Sequence, residues 1–139
     1  ETFNFLGFTH SCGKTRRGAF VVLRQTMRKR LQAKLKAVQI ELRRRLHDPV
    51  PQVGAYLRSV VAGHNRYYGV PRNGAALSSF RGAVAGLWLR SLRRRSQNHR
   101  TTWERVTRLV ARWLPPARIC QPYPDKRLAY ATRGGSRMR

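Results

Sequence analysis

Residues 73–97 read NGAALSSFRGAVAGLWLRSLRRRSQ, and this stretch decides the fold. Its large apolar residues recur every three or four positions, which is the spacing of one helix face turned toward a core. They are Leu77, Phe80, Val84, Leu87, Trp88 and Leu92. Asn73 is a candidate N-cap, and Arg93, Arg94 and Arg95 form a cationic tip that complements the negative end of the helix dipole. The stretch therefore predicts a helix that joins a packed body to a concentrated positive charge.

Two earlier stretches predict helices of the same kind. The first runs from a cap at Thr26 to about Leu46, with a narrow apolar stripe. The second has Pro51 in its first turn and runs to about Tyr68. His64 lies on the apolar face of this second helix, and a satisfied core histidine is a better interpretation there than a ligand or base, because no second His, Cys or carboxylate stands at a helpful spacing. The two stripes are Leu31, Leu35, Val38 and Leu42, and Val53, Leu57, Val60, Val61 and His64.

The chain also predicts a β-hairpin before these helices and a fourth helix after them. An alternating run over 3–8 and an apolar run over 18–23 indicate two short strands, at the edge of a sheet that continues outside this sequence. Thr101 and Glu104 have capping-box spacing for the fourth helix. Its apolar stripe is Trp103, Val106, Val110, Trp113 and Leu114, and Pro115-Pro116 ends it.

These patterns predict a mostly α protein. We expect three antiparallel-type helices over about 27–95 and a fourth over 102–114, packed as a bundle. The expected division is a β-hairpin over 1–25, a helical domain over 26–116 and an irregular basic tail over 117–139. The last seven residues are expected to be disordered or ordered by a partner.

Charge is the property that most restricts function. Thirty Lys and Arg residues against five Asp and Glu give a net charge of +25, and the self-repulsion this causes makes nucleic acid the expected partner. No apolar run approaches the ~20 residues that span a bilayer, and the first ten residues do not resemble a signal peptide, so a bacterial-type cytoplasmic protein without membrane contact is expected. Cys12 and Cys120 are expected to be reduced, unpaired thiols, and a ligand role for the isolated His10-x-Cys12 pair is the weaker alternative.

Basic stretches supply the candidate RNA contacts. Glu41 is the only acid on the first predicted helix, among many cations. Like charges three and four residues apart therefore repel each other, and this favours a contact surface over a merely solvated face. The arginines of the tip point about 100° apart and suit phosphate oxygens bidentately; the alternative is a solubilising helix end. Tyr67 and Tyr68 can either stack on bases or belong to the core. The candidate residues are Arg28, Lys29, Arg30, Lys34, Lys36, Arg43, Arg44, Arg66, Tyr67, Tyr68, Arg72, Arg93, Arg94, Arg95, Gln97 and Arg100.

Catalysis by this chain alone is not expected. Its acids are scattered, and no pair is placed for acid–base chemistry or for holding two Mg2+ ions. No phosphate-binding glycine-rich loop has the required spacing. The tryptophans Trp88, Trp103 and Trp113 lie on helical stripes, where a core position is favoured over base stacking. No catalytic residue, metal ligand or cofactor is therefore predicted within the chain.

Several segments, in this order, resemble the end of the palm and the thumb/X (maturase-specific) region of group II intron reverse transcriptases. Residues 3–9, Phe-Asn-Phe-Leu-Gly-Phe-Thr, are similar to the Phe-x-Phe-Leu-Gly-Phe segment that closes the palm. The segments similar to the thumb/X region are Tyr67-Tyr68-Gly69-Val70-Pro71, Phe80, Trp88, Arg94-Arg95-Ser96-Gln97, Trp103, Trp113-Leu114-Pro115 and Pro122-Tyr123-Pro124. The resemblance covers essentially the whole chain.

The resemblance implies a mobile-element protein that binds structured group II intron RNA and assists splicing and mobility. The Tyr-Ala-Asp-Asp box and the preceding fingers and palm are absent from this sequence, so polymerase activity is not implied for it, and Mg2+ is implied only for a complete polymerase. The implied partners are the intron RNA and a fingers–palm region, with target DNA left open. Two alternatives stand beside this: a thumb subunit of an RNA-directed DNA polymerase completed by a separate fingers–palm chain, or a general basic RNA- or DNA-binding protein.

Overall fold

A computed structural model describes residues 2–14, 16–95 and 101–120 of the chain. Three strands come first, followed by four helices: β1 (Thr2–Phe5), β2 (Phe8–Lys14), β3 (Phe20–Thr26), α1 (Arg28–Arg44), α2 (Val50–Tyr68), α3 (Gly74–Arg95) and α4 (Trp103–Trp113). The prediction of a mostly helical protein with a small antiparallel sheet at its start is confirmed. The predictions for the last seven residues and for the Pro122-Tyr123-Pro124 segment lie outside the described residues.

Helix α3 is the centre of the bundle and packs against α1, α2 and α4. Its predicted stripe is buried, apart from Leu87, which is half-buried. The largest side chains of that stripe, Phe80 and Trp88, are 0% and 1% exposed. They share one core with the stripes of the other helices, including Val38, Leu57 and Val106. The apolar periodicity of the four helices therefore identified most of the core correctly.

The sheet has three antiparallel strands in the order β1-β2-β3, where the sequence predicted two. The run over 3–8 is not one strand, because Leu6 and Gly7 turn the chain between β1 and β2. Both have a positive φ, 51° and 83°, as a two-residue hairpin turn with the right twist requires. A bulky leucine rarely adopts this conformation, so the turn gave no recognisable sequence signal. Gly7 has a second constraint, since a Cβ there would lie 2.8 Å from the hydroxyl oxygen of Tyr68.

A row of aromatic rings attaches the sheet to the helices. Phe8 of β2 stacks on Tyr67 with the centroids 5.7 Å apart and tilts against Tyr68 at 5.0 Å. The row continues from Tyr68 to His64 at 4.7 Å and from His64 to Phe80 at 3.7 Å. The Tyr67 hydroxyl also donates a hydrogen bond to the Leu6 carbonyl, at 2.6 Å. The sheet is therefore bonded directly to the core through the end of α2.

The prediction of Thr26 as a helix cap is wrong. Asn73 does stand directly before α3, and its carbonyl accepts from the Leu77 backbone at 3.2 Å, but its side chain binds Thr26. Thr26 ends β3, and α1 has Met27 at its N-cap without a side-chain cap bond. The Asn73 amide accepts from the Thr26 backbone at 3.2 Å and donates to the Thr26 hydroxyl at 2.9 Å and to the Tyr68 carbonyl at 2.8 Å. Asn73 is 1% exposed, and a buried amide needs such partners. It therefore joins the sheet, α2 and the start of α3.

Helix α4 begins one residue later than its predicted capping box. Thr102, not Thr101, is the N-cap, and its hydroxyl accepts from the Arg105 backbone at 3.3 Å. Trp103 is 56% exposed, so its predicted core position is wrong. This ring stands at the first residue of the helix, one turn before Val106, the first buried one. Trp113, at the other end, is half-buried.

Two arginines fasten the C-terminal end of α4 to the bundle. Arg58 of α2 donates to the carbonyls of Trp113 and Arg112, at 3.3 and 3.1 Å. Arg81 of α3 donates to the carbonyls of Pro115 and Leu114, at 2.9 and 3.1 Å. These carbonyls have no partner within the helix itself, because the last four of any helix point beyond its end. Arg58 and Arg81 are therefore structural residues.

The segment after α4, residues 115–120, lies back along the end of α2. The Asn65 amide donates to the Pro116 carbonyl at 3.1 Å, and the Cys120 backbone donates to the Gly69 carbonyl at 2.9 Å. Cys12, in β2, and Cys120 are both free, exposed thiols.

Candidate nucleic-acid interface

The outer face of α1 is a row of exposed cations. Because the apolar stripe of α1 faces the core, the remaining directions of the helix carry its charges. Lys29, Lys36 and Arg43 follow one another at intervals of seven residues, which places them on one side of the helix about 10.5 Å apart. The candidate residues of α1 are all exposed: Arg28, Lys29, Arg30, Lys34, Lys36, Arg43 and Arg44.

Glu41 is the only acid in α1, and it is occupied by two arginines that follow it in the chain. Its carboxylate lies 2.8 Å from Arg45 Nε and 3.6 Å from Arg44 Nε. The hydrogen bond from Arg45 holds the pKa of Glu41 below its ordinary value. Among the described residues no carboxylate pairs with Lys29 or Lys36. Apart from Arg44, the cations of the row therefore form no ion pair within the described part of the protein.

A groove between α1 and α3 brings two of the predicted basic stretches together. Arg43 of α1 lines it on one side, and Arg90 and Arg94 of α3 line it on the other, around a cavity of about 80 Å3. Its floor is apolar and includes Leu42 and Leu87. Three arginines thus line one groove between two packed helices. We call this surface, with the row on α1, the α1–α3 surface.

The three arginines at the tip of α3 have different surroundings. Arg93 donates to the Thr101 carbonyl at 3.3 Å, and Arg95 donates to the Asp48 carbonyl at 2.7 Å. Both therefore help to hold neighbouring segments as well as carrying charge. Arg94 instead faces the groove shared with α1. Two further candidates of this stretch, Gln97 and Arg100, lie outside the described residues.

A second, larger groove of about 490 Å3 separates α1 from α2. Arg30 and Lys34 stand on its α1 wall, and Tyr67 and Tyr68 on its α2 wall. Tyr67 is 52% exposed even though one face of its ring rests on Phe8. Tyr68 is half-buried within the aromatic row, and burial raises the pKa of its hydroxyl. The tyrosine pair therefore has a structural function in attaching the sheet, while Tyr67 also presents ring surface to this groove.

His64 lies at the inner side of the same groove and is a core residue, as predicted, but it is not satisfied. It is 5% exposed and stacks on Phe80. Its Nε2 is a buried atom without a hydrogen-bond partner. Burial, and then the nearby charge of Lys34, lower the pKa of His64 to about 4. The imidazole is therefore neutral at pH 7 and adds no charge to the surface.

The remaining predicted residues lie away from the α1–α3 surface. Arg66 is exposed at the end of α2, where it lines a third groove of about 380 Å3 with Phe5 and Arg24 of the sheet. Arg72 is exposed in the turn before α3, with a left-handed φ of 68°. The structure thus places the candidates on more than one surface, and the α1–α3 surface gathers the largest group.

No family model, characterised protein or solved structure matches this chain. Within the described residues, no helix combines the length and apolar character that crossing a membrane requires. The same residues contain no group of three or more His, Cys, Asp or Glu side chains that could hold a metal ion.

Sequence reasoning missed several exposed arginines that the structure places on these surfaces. Arg90 lies four residues before Arg94, so the helical spacing of three to four would have placed both on one side of α3. The outer face of α4 carries three more arginines at spacings of three and four: Arg105, Arg108 and Arg112. Their signal in the sequence is weak, because they are dispersed among other residues and form no uninterrupted basic run.

Proposed function

We propose that this chain binds structured group II intron RNA as the thumb, or maturase, region of an intron-encoded reverse transcriptase. The observation that carries the proposal is the α1–α3 surface, where Arg43, Arg90 and Arg94 line one groove beside the cationic row of α1. The choice of group II intron RNA among polyanions is supported by the ordered sequence segments that resemble this family.

The geometry of the surface suits a sugar–phosphate backbone. Guanidinium groups bind phosphate oxygens with two parallel hydrogen bonds, and lysines act as point charges at longer range. Leu42 and Leu87 line the same groove, and long basic side chains can lay their aliphatic stems along apolar surface while their charged heads stay in water. Because the cations stand on helices packed into the core, binding orders side chains but not backbone, which limits its entropic cost.

A double substitution at the groove tests the location of the surface. In Arg43→Gln with Arg94→Gln, each change removes one exposed charge that has no ion-pair partner among the described residues, so the thermal unfolding curve should stay the same. RNA affinity should fall, and the slope of log K against log salt should become shallower by about 1.4, at roughly 0.7 per phosphate, because two guanidinium groups no longer neutralise phosphates.

The matched control removes the same charge from the far end of the sheet. Arg16 and Arg17 are exposed in the turn between β2 and β3, away from the bundle. Arg16→Gln with Arg17→Gln should change the salt slope much less than the groove pair. Equal effects of the two pairs would mean that only net charge matters, which would contradict a defined surface.

A competition experiment tests the choice of RNA. Binding of a folded group II intron transcript is measured against an unlabelled RNA of the same length and composition in scrambled order. Preference for the intron is expected at physiological salt, where the non-specific electrostatic contribution is weakened. Equal competition by the scrambled RNA would indicate a general basic RNA-binding protein instead.

A further inference from the structure

The outer face of α4 carries a second group of unneutralised cations. Arg105, Arg108 and Arg112 stand three and four residues apart and are all exposed, while Val106 and Val110 of the same helix are buried. Within the described residues none of the three forms an ion pair. Arg58 and Arg81 are different, because their guanidinium groups donate hydrogen bonds to backbone carbonyls. Glu104 is the only acid in α4, so one carboxylate faces three arginines, and an external anion would relieve the remaining repulsion along this face.

This face and the α1–α3 surface lie on helices that are apart from each other. Helix α4 packs on α2 and α3, and α1 packs on α3, while α1 and α4 share no extensive contact among the described residues. Since each of the two helices turns its apolar stripe inward, their charged faces form two separate outward surfaces.

We propose that α4 carries a second RNA-binding surface and that one copy of the chain bridges two separate RNA segments. This inference rests on the proposed function for the identity of the polyanion. Two RNA segments repel each other when they approach directly, and a body with cations on two separate faces neutralises both while keeping them apart. The guanidinium groups of α4 suit phosphate oxygens in the same way as those of the groove.

The test counts RNA molecules bound to each protein molecule. The full chain is titrated with one short RNA hairpin, and native mass spectrometry records complexes with one and with two hairpins. The α4 variant is Arg105→Gln with Arg108→Gln; Arg112 is left in place because its guanidinium lies 5.5 Å from the Trp113 ring. The matched variant, Lys29→Gln with Lys36→Gln, removes the same charge from α1. The parent should bind two hairpins, and each variant should lose the complex with two while keeping the complex with one.

The outcomes separate the inference from the proposed function. A parent that binds one hairpin only, or an α4 variant that still binds two, overturns the second surface. If the α1 variant keeps two hairpins while the α4 variant loses one, the α4 surface stands and the proposed α1–α3 function fails. A parent that binds no RNA overturns both. If the α4 variant melts at a lower temperature, Arg105→Lys with Arg108→Lys replaces it as the test, because it keeps the charge. If α4 carries a second RNA-binding surface, this lysine variant must bind two hairpins.

Discussion

Trp88 and Trp103 have the same side chain in opposite surroundings: Trp88 is 1% exposed and Trp103 is 56% exposed. Replacing Trp88 with Ala leaves a cavity among the helices and should lower the free energy of unfolding by about 3–5 kcal/mol. Trp103→Ala removes a ring that stands mostly in solvent and should change it by less than about 0.5 kcal/mol. Urea unfolding followed by circular dichroism measures both. A small effect at Trp88, with RNA affinity lost instead, would place that ring on the binding surface.

His64 should make the stability of the protein depend on pH in a defined window. The unfolded chain takes up a proton near the ordinary pKa of 6.5, whereas folded His64 resists protonation down to about 4. Between these values the unfolded state binds more protons, so the free energy of unfolding rises with pH and falls on acidification. The loss between about pH 7 and pH 4 should be on the order of 3 kcal/mol. Thermal unfolding at intervals across this range measures it.

The variant His64→Phe isolates this contribution. Phenylalanine keeps a planar ring against Phe80 but has no group to protonate and no unpartnered nitrogen. The free energy of unfolding of the variant should depend less on pH between about pH 4 and 6.5. Subtracting it from that of the parent cancels the contribution of the carboxylates that both proteins share. If the parent and the variant lose stability in parallel, His64 is not the group that titrates.

Single polar residues were the least predictable part of this sequence. Thr26 has the right chemistry for a helix cap, but its hydroxyl accepts from the Asn73 amide, 47 positions away. Asn73 does precede α3, but its side chain binds Thr26 and the end of α2. Thr101 and Thr102 are equally suited to capping α4, and only the start of the helix decides between them. Local patterns cannot reveal such partners, because their choice depends on packing between distant segments.

At the scale of elements, the attachment of α4 depends on Arg81. Arg81→Met keeps the aliphatic stem but leaves the Leu114 and Pro115 carbonyls without this donor, and should cost about 1–3 kcal/mol of stability. Arg81→Lys should recover only part of this, since an ammonium group cannot reproduce the fork. Arg90→Met is the matched control on the exposed side of the same helix. Urea unfolding compares the three, and equal losses for Arg81→Met and Arg90→Met would refute a structural function of Arg81.

Helices and strands differed in how well the sequence predicted them. The four helices follow from apolar periodicity, and their observed limits agree with it within a few residues. The missed strand boundary at Leu6-Gly7 has a physical reason, since the turn uses a leucine with positive φ in place of the usual Asn or Asp. The aromatic row from Phe8 to Phe80, which holds that turn against Tyr68, connects residues that no local pattern relates.

For the whole molecule, a net charge of +25 should make RNA binding strongly dependent on salt. If about six phosphates are contacted, log K against log salt should have a slope near −4, at roughly 0.7 per phosphate for single strands. Filter binding at several salt concentrations gives the slope. A slope near zero would show that the charge is incidental to binding.

The candidate surface was predictable in composition but not in arrangement. A shortage of acids indicated that α1 and the tip of α3 carry exposed charge, and both do. That Arg43 and Arg94 line one groove, while Arg95 turns to the Asp48 carbonyl, depends on how α1 and α3 pack. The division of the charge between α1 and α4 likewise follows from the position of α3 at the centre of the bundle.

The two cysteines provide two labelling sites for measuring a distance within the natural sequence. The chain has two, Cys12 on the sheet and Cys120 beside Gly69, and both are exposed thiols. Nitroxide spin labels can therefore be attached to the natural sequence, and pulsed electron resonance then reads the distance between sheet and helical body. Because the aromatic row fastens Phe8 to the core, that distance should keep a single narrow distribution when RNA is added. A broadened or shifted distribution would reveal a hinge at the end of α2.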